Sequence, residues 1–126
     1  MNKMNYKELG RTIDGILRRN GGVTLRIIPM GKTTGLEIAE PTHGYQVGIA
    51  ELFEDTYYDV ESMDLEQIIA RCHGGYIGFW LYQGKLFIDA SMHIMDKESA
   101  LRSAQERGEI AIFDWHTHEE VLVETS

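Results

Sequence analysis

The chain has 126 residues, of which 43% are hydrophobic and 25% are charged, and its formal net charge is −8 at pH 7. This length and composition predict one folded domain, residues 1–126, and exclude a globally disordered chain. No apolar run is long enough to cross a bilayer, and the acidic balance disfavours direct binding of nucleic acid, which depends on Lys and Arg.

The first half of the chain is predicted to form one helix and several strands. Asn5 and Glu8 make a capping box, and the apolar residues behind it recur at helical spacing. The predicted elements are a helix over about 5–19, strands over 23–28 and 44–50, and a short strand at Leu36 and Ile38. The acidic segment 51–63 has no clear period, so it either extends the preceding strand or forms a protruding loop.

The second half adds two helices and a β-hairpin. Asp64 and Asp96 are predicted N-caps because each precedes apolar residues at helical spacing. Gln83 and Gly84 form a tight turn between two β-rich runs. The predicted strands cover 76–82, 85–91 and 110–115, and a turn at 116–119 leads into a last short strand with Val121 and Val123. The fold class is therefore α+β, a mainly antiparallel sheet of about five to six strands with three helices packed on it.

Charge is distributed unevenly along the chain. Residues 1–34 carry seven Lys and Arg against two acidic residues, whereas residues 35–126 carry five against eighteen. Carboxylates interleaved with aromatic groups imitate the charge and the stacking faces of a nucleic-acid strand, so such a surface is expected to bind a basic protein or nucleoprotein complex. The predicted partner-binding residues are Glu51, Glu54, Asp55, Tyr57, Tyr58, Asp59, Glu61 and Asp64.

Two other interpretations of this acidic segment remain open. It is either a solvated face that contributes only solubility, or a face neutralised within the fold. Neutralisation would follow if the basic N-terminal helix packs beside residues 51–64 and forms internal ion pairs with them.

A metal site is a weaker candidate. Asp114, His116 and His118 alternate, so on an extended strand they would face one side and converge on a metal ion. The turn predicted at this place argues against that geometry. Cys72 would need a helper base to act as a nucleophile, and His73 beside it on a helix points elsewhere. No nucleophile elbow, phosphate-binding loop or zinc-protease motif occurs, so no catalytic residue and no cofactor are predicted.

Aromatic residues suggest a further interface. Tyr76, Trp80 and Tyr82 share one face of a predicted strand, and a homodimer would bury that face if the fold leaves it exposed. The first alternative function is accordingly a phage structural or accessory module that acts through a protein–protein interface. The second alternative is a metal-dependent enzyme that uses Asp114, His116 and His118.

Several blocks of sequence resemble a known group of proteins. They are GYIGFWLYQGKLFIDAS at 75–91, KESAL at 97–101, EIAIFD at 109–114 and the Pro-Thr-x-Gly-Tyr pattern within 35–45. In these blocks the chain resembles small proteins and modules encoded by phages and mobile elements of actinobacteria and related Gram-positive hosts. The resemblance implies a non-enzymatic protein that acts on host machinery in the host cytoplasm, as acidic antirestriction and anti-CRISPR proteins do.

Overall fold

A computed structural model describes residues 5–31 and 33–124. Its helices are α1 (Tyr6–Asn20), α2 (Leu65–Ala70) and α3 (Lys97–Glu106). Its strands are β1 (Gly22–Met30), β2 (Thr33–Ile38), β3 (Tyr45–Thr56), β4 (Tyr76–Tyr82), β5 (Lys85–Ile94), β6 (Ala111–Asp114) and β7 (Glu119–Leu122). The predicted α+β class is confirmed, but the strand number of five to six is corrected to seven in the described residues.

All seven strands form one antiparallel sheet in the order β2-β1-β4-β5-β3-β6-β7. The predicted hairpin of β4 and β5 lies at its centre, with β1 and β3 on either side. The difference lies in the two edge strands, which the sequence predicts only as short, weakly patterned segments. β2 begins at Thr33 in a segment of small polar residues, and β7 has only four residues, so neither carries a strong alternating pattern.

The three predicted helix caps are confirmed. Asn5 Oδ1 accepts a hydrogen bond from the Glu8 N–H at 3.0 Å, which closes the N-terminus of α1. Asp64 and Asp96 do the same for α2 and α3. Gly21 ends α1 in a left-handed conformation with φ 78°, where its N–H donates to the Leu17 carbonyl. No helix in the described part of the chain has the length and apolar character needed to cross a membrane.

The hydrophobic core lies on one face of the sheet, beneath all three helices. Alternate residues of β5, namely Leu86, Ile88 and Ala90, are at most 1% exposed on that face. One apolar cluster joins α1 and α2 to β1, β4 and β5, and a second joins α3 to β3 and β6. The opposite face therefore has no helix over it, and we call it the open face.

Strand β3 is longer than the prediction of 44–50. It continues to Thr56, so the acidic segment is partly a strand extension and partly, after Thr56, a loop. Two register shifts against β5, between Gly48 and Ala50 and between Glu51 and Phe53, interrupt its alternation. Bulges of this kind put two residues opposite one, which hides a strand from a period-2 pattern.

Candidate functional site

The open face carries aromatic and acidic side chains together. Strand pairing places Trp80 opposite Phe87 on this face, and it places Glu51 opposite Asp89. Trp80 is 38% exposed, and Tyr82 on the same strand is 65% exposed. Large exposed aromatic groups clustered on one face are typical of a binding surface rather than of a solvated one.

A cavity of about 380 Å³ lies in the middle of the open face. It exists because Gly48 and Gly78 put no side chain over the sheet at the positions paired with Ser91 and Asp89. The surrounding residues are Thr24, Gln46, Gly48, Trp80, Asp89, Ser91, Glu109, Ile110, Ala111, Ile112, Phe113, His118 and Glu120. The cavity therefore spans six strands, β1 and β3 to β7, with aromatic groups and carboxylates at its margin.

Two glycines allow the Trp80 indole to lie across the sheet. A Cβ atom on Gly22 would stand 2.2 Å from Cε3 of Trp80. A Cβ atom on Gly78 would stand 2.8 Å from the indole nitrogen and 2.7 Å from Oδ1 of Asp89. Both distances are too short for non-bonded atoms, so glycine at these positions fixes where the indole sits beside the Asp89 carboxyl group.

Buried hydrogen bonds order the floor of the cavity. The Trp115 indole N–H donates to Gln46 Oε1 at 2.9 Å, and Gln46 Nε2 donates to Ser91 Oγ at 2.8 Å. The Trp115 ring also packs edge-on against Phe113, with ring centroids 4.9 Å apart. Because each buried polar group is paired, the floor is held in one arrangement before any partner arrives.

Asp89 has the most strongly altered acidity at this site. Burial first, and then the charges of Glu109 and Glu51, raise the pKa of Asp89 to about 7, although a hydrogen bond from Trp80 acts in the opposite direction. The pKa of Glu51 is also raised, first by its hydrogen bond with Glu54. Carboxyl groups gathered near one another resist ionisation unless a cation is nearby.

The basic residues of the open face are already paired. Lys85 forms a salt bridge with Glu54 at 3.6 Å, and Arg26 forms one with Glu37. Among the described residues, no Lys or Arg lies within salt-bridge distance of the other four carboxylates of this face, Glu51, Asp89, Glu109 and Glu120. The face therefore carries uncompensated negative charge around the cavity.

The predicted acidic segment is divided between two sides of the molecule. Glu51 and Glu54 lie on the open face, whereas Asp55 pairs with Leu86 on the side of the helices. Tyr58 is 82% exposed in the following loop, and Asp64 caps α2. The eight predicted residues thus do not share one face.

The loop after β3 is joined to α1. Glu61 forms a salt bridge with Arg11 at 3.0 Å, and the Tyr57 hydroxyl donates to Asp14 at 2.7 Å. The pKa of Asp59 is lowered chiefly by its hydrogen bonds with Ser62, and the charge of Arg18 lowers it further. Helix α1 therefore neutralises part of the negative charge of this loop. The sequence left this possibility open as one of two alternatives to a binding surface.

Asp114, His116 and His118 do not converge on a common point. Strand β6 ends at Asp114 and residues 115–118 form a turn, so the alternation needed for a metal site is lost. The Asp114 carboxylate accepts the His116 N–H at 2.8 Å, and the His116 ring stacks on His43. In the described residues, no three His, Cys, Asp or Glu side chains are arranged to hold a metal ion.

Cys72 is partly buried next to strand β4. Its thiol lies 3.1 Å from the Tyr76 carbonyl oxygen. Burial, and then the charge of Asp89, raises the pKa of this thiol to about 11. The thiol is therefore protonated at neutral pH, which is the opposite of what a cysteine nucleophile needs.

Comparison of the chain with protein-family models, with curated proteins and with solved structures gave no match. The resemblance to phage-encoded modules accordingly stays a prediction.

Proposed function

We propose that this chain is a non-enzymatic interaction protein whose open face binds a basic partner protein. The observation that supports this proposal is an open face on which the exposed Trp80 lines a cavity and the exposed Tyr82 lies on the same strand, with four carboxylates that form no salt bridge in the described residues. Charge of one sign on such a face steers a partner of the opposite sign and discriminates against others.

The chemistry of the face favours a partner that normally binds nucleic acid. Such proteins present Lys and Arg to phosphates and aromatic or guanidinium planes to bases. The open face offers the complementary groups, carboxylates such as Glu51 and Glu120 and flat rings such as Trp80. In its most specific form the proposal is a phage or mobile-element inhibitor of a host defence complex, of the anti-CRISPR or antirestriction kind, acting in the host cytoplasm.

A charge-reversal experiment tests this proposal. We expect the double variant Glu51→Lys, Glu120→Lys to lose capture of a nucleic-acid-binding protein from host lysate, and capture by the unchanged chain to weaken as salt rises. The matched control is Glu66→Lys, Glu106→Lys, which changes net charge equally but on helices α2 and α3. Equal loss in both variants would show a general charge effect, and loss in neither would refute the open face as the binding surface.

The alternative partner for the open face is a second copy of the chain. Tyr82 and Leu122, which are 65% and 76% exposed there, favour some protein–protein contact. Two copies joined face to face would bring their carboxylates together, which costs free energy. Sedimentation equilibrium at low and high salt distinguishes the two: we expect a monomer, and a dimer strengthened by salt would support the homodimer.

A further inference from the structure

The groups that line the cavity on the open face indicate a more specific ligand than the face as a whole does. Trp80 stands on one side of it, and Phe113 and His118 stand on the other. Asp89 and Glu109 both line it, and Glu109 stands beside Gly48, where a Cβ atom would be only 3.1 Å from the Glu109 carboxylate. Flat rings and carboxylates around one hollow are the groups that hold an organic cation.

We propose that this cavity receives an arginine side chain of the partner, with its guanidinium group between the carboxylates of Asp89 and Glu109 and against the Trp80 indole. This inference rests on the proposed function, because it names the group of the basic partner that enters the same face. It makes the cavity the specificity-determining part of the interface, with Glu51 outside the lining and Glu120 at the margin as steering charges.

Arginine fits this cavity better than lysine does. A guanidinium is planar and stacks on an indole, and its five N–H donors can serve two carboxylates from different directions at once. Asp89 comes from β5 and Glu109 from the segment between α3 and β6, so they approach the cavity from different elements. The ammonium group of lysine is more strongly hydrated, so it loses more hydration free energy when it leaves water.

The net charge of the cavity also excludes several other occupants. An anion would face Asp89, Glu109 and Glu120 together without a described Lys or Arg at the cavity. A purely apolar group would leave the carboxylates desolvated and unpaired, which is costly. A cation with a flat delocalised charge satisfies both the rings and the carboxylates.

Titration with a short peptide tests the inference directly. The probe is the blocked tripeptide Gly-Arg-Gly, followed by the ¹⁵N–¹H signals of the two tryptophan indoles. We expect the Trp80 indole signal to shift in a saturable way at millimolar peptide. The peptide with lysine should bind at least about threefold more weakly and the one with uncharged citrulline at least about tenfold more weakly.

Three variants separate the contributions of charge and ring. Asp89→Asn and Glu109→Gln should each weaken binding of the arginine peptide about tenfold, which is the loss of one charge-assisted contact. Gly22→Ala displaces the Trp80 ring without changing charge, and it should weaken binding about threefold. Glu66→Gln, on α2 across the sheet, is the control and should bind the peptide like the unchanged chain.

The outcomes distinguish this inference from the proposed function. If citrulline binds as well as arginine, or if the Trp80 indole does not respond, the arginine cavity is wrong. Capture of a basic partner through Glu51 and Glu120 could still hold in that case, which would leave the proposed function standing. Conversely, arginine binding without any captured partner would support the cavity and count against the function.

Discussion

Replacing Asp14 with Ala should lower the free energy of unfolding by roughly 3 kcal/mol or more. Asp14 is 3% exposed on α1, and its carboxylate accepts hydrogen bonds from the Tyr57 hydroxyl and from the N–H groups of Val60 and Glu61. Removing it leaves the N–H of Val60, a residue with 0% exposure, buried without a partner. Such a loss is a large part of the 5–15 kcal/mol that stabilises a typical domain.

Urea denaturation measures this effect. Lys7→Ala, an exposed change on the same helix, is the control and should stay within about 0.5 kcal/mol of the unchanged chain. Tyr57→Phe removes one of the three donors and should cost about 1 kcal/mol. If Asp14→Ala lost no more than the Lys7 control, the attachment of the loop to α1 would not contribute to stability.

Replacing Asp89 with Asn should stabilise the protein in a way that depends on pH. The pKa of Asp89 is raised to about 7 in the folded chain, first by burial and then by the charge of Glu109, whereas the unfolded value is near 3.8. The folded state therefore binds the Asp89 proton more tightly than the unfolded state does. The stabilisation that this proton provides is complete below about pH 4 and is lost as pH rises through 7. The full size of this contribution is on the order of 4 kcal/mol.

Asparagine cannot ionise, so the variant avoids this loss. We expect the melting temperatures of Asp89→Asn and the unchanged chain to be close at pH 3.5 and to separate in favour of the variant by pH 8. Glu66→Gln serves as the control for a change in net charge and should show no such divergence. A difference that is constant with pH, or larger in acid, would contradict the burial of an ionisable Asp89 carboxyl group.

Local sequence signals were enough for the elements with regular patterns. The Asn5 cap of α1 and the Gln83-Gly84 turn between β4 and β5 were predicted because each depends on neighbouring residues alone. The length of β3 was missed because its two bulges break the alternation that identifies a strand. The order of the strands depends on long-range pairing, such as β3 with β5 across two other elements, which no local pattern contains.

The open face was likewise predictable from the sequence only in part. The sequence predicted that Trp80 and Tyr82 share a face, and the structure confirms it. It did not single out Glu109 or the cavity, because Gly48, Gly78 and Asp89 meet only after three separate strands pair. The available signal was a glycine inside each of two apolar strands, which often marks a close approach over the sheet.

The acidic segment was predicted to be a binding surface because it has many acidic residues. The number of acidic residues along the chain does not determine which way their side chains point in the folded protein. Alternation within β3 turns Glu54 towards the open face and Asp55 away from it. Glu61 lies instead beside Arg11 of the basic helix. The negative face around the cavity is therefore assembled partly from carboxylates that lie far from residues 51–64 in the sequence, Asp89, Glu109 and Glu120.

If the open face binds a basic protein where nucleic acid would otherwise bind, the chain must compete with nucleic acid for that protein. The affinity of the captured partner for a labelled oligonucleotide is determined at increasing concentrations of the chain. We expect the apparent Kd for the oligonucleotide to rise linearly with the concentration of the chain, and the Glu51→Lys, Glu120→Lys variant to leave this Kd unchanged. A ternary complex of partner, oligonucleotide and chain, with the oligonucleotide Kd unaltered, would contradict this expectation.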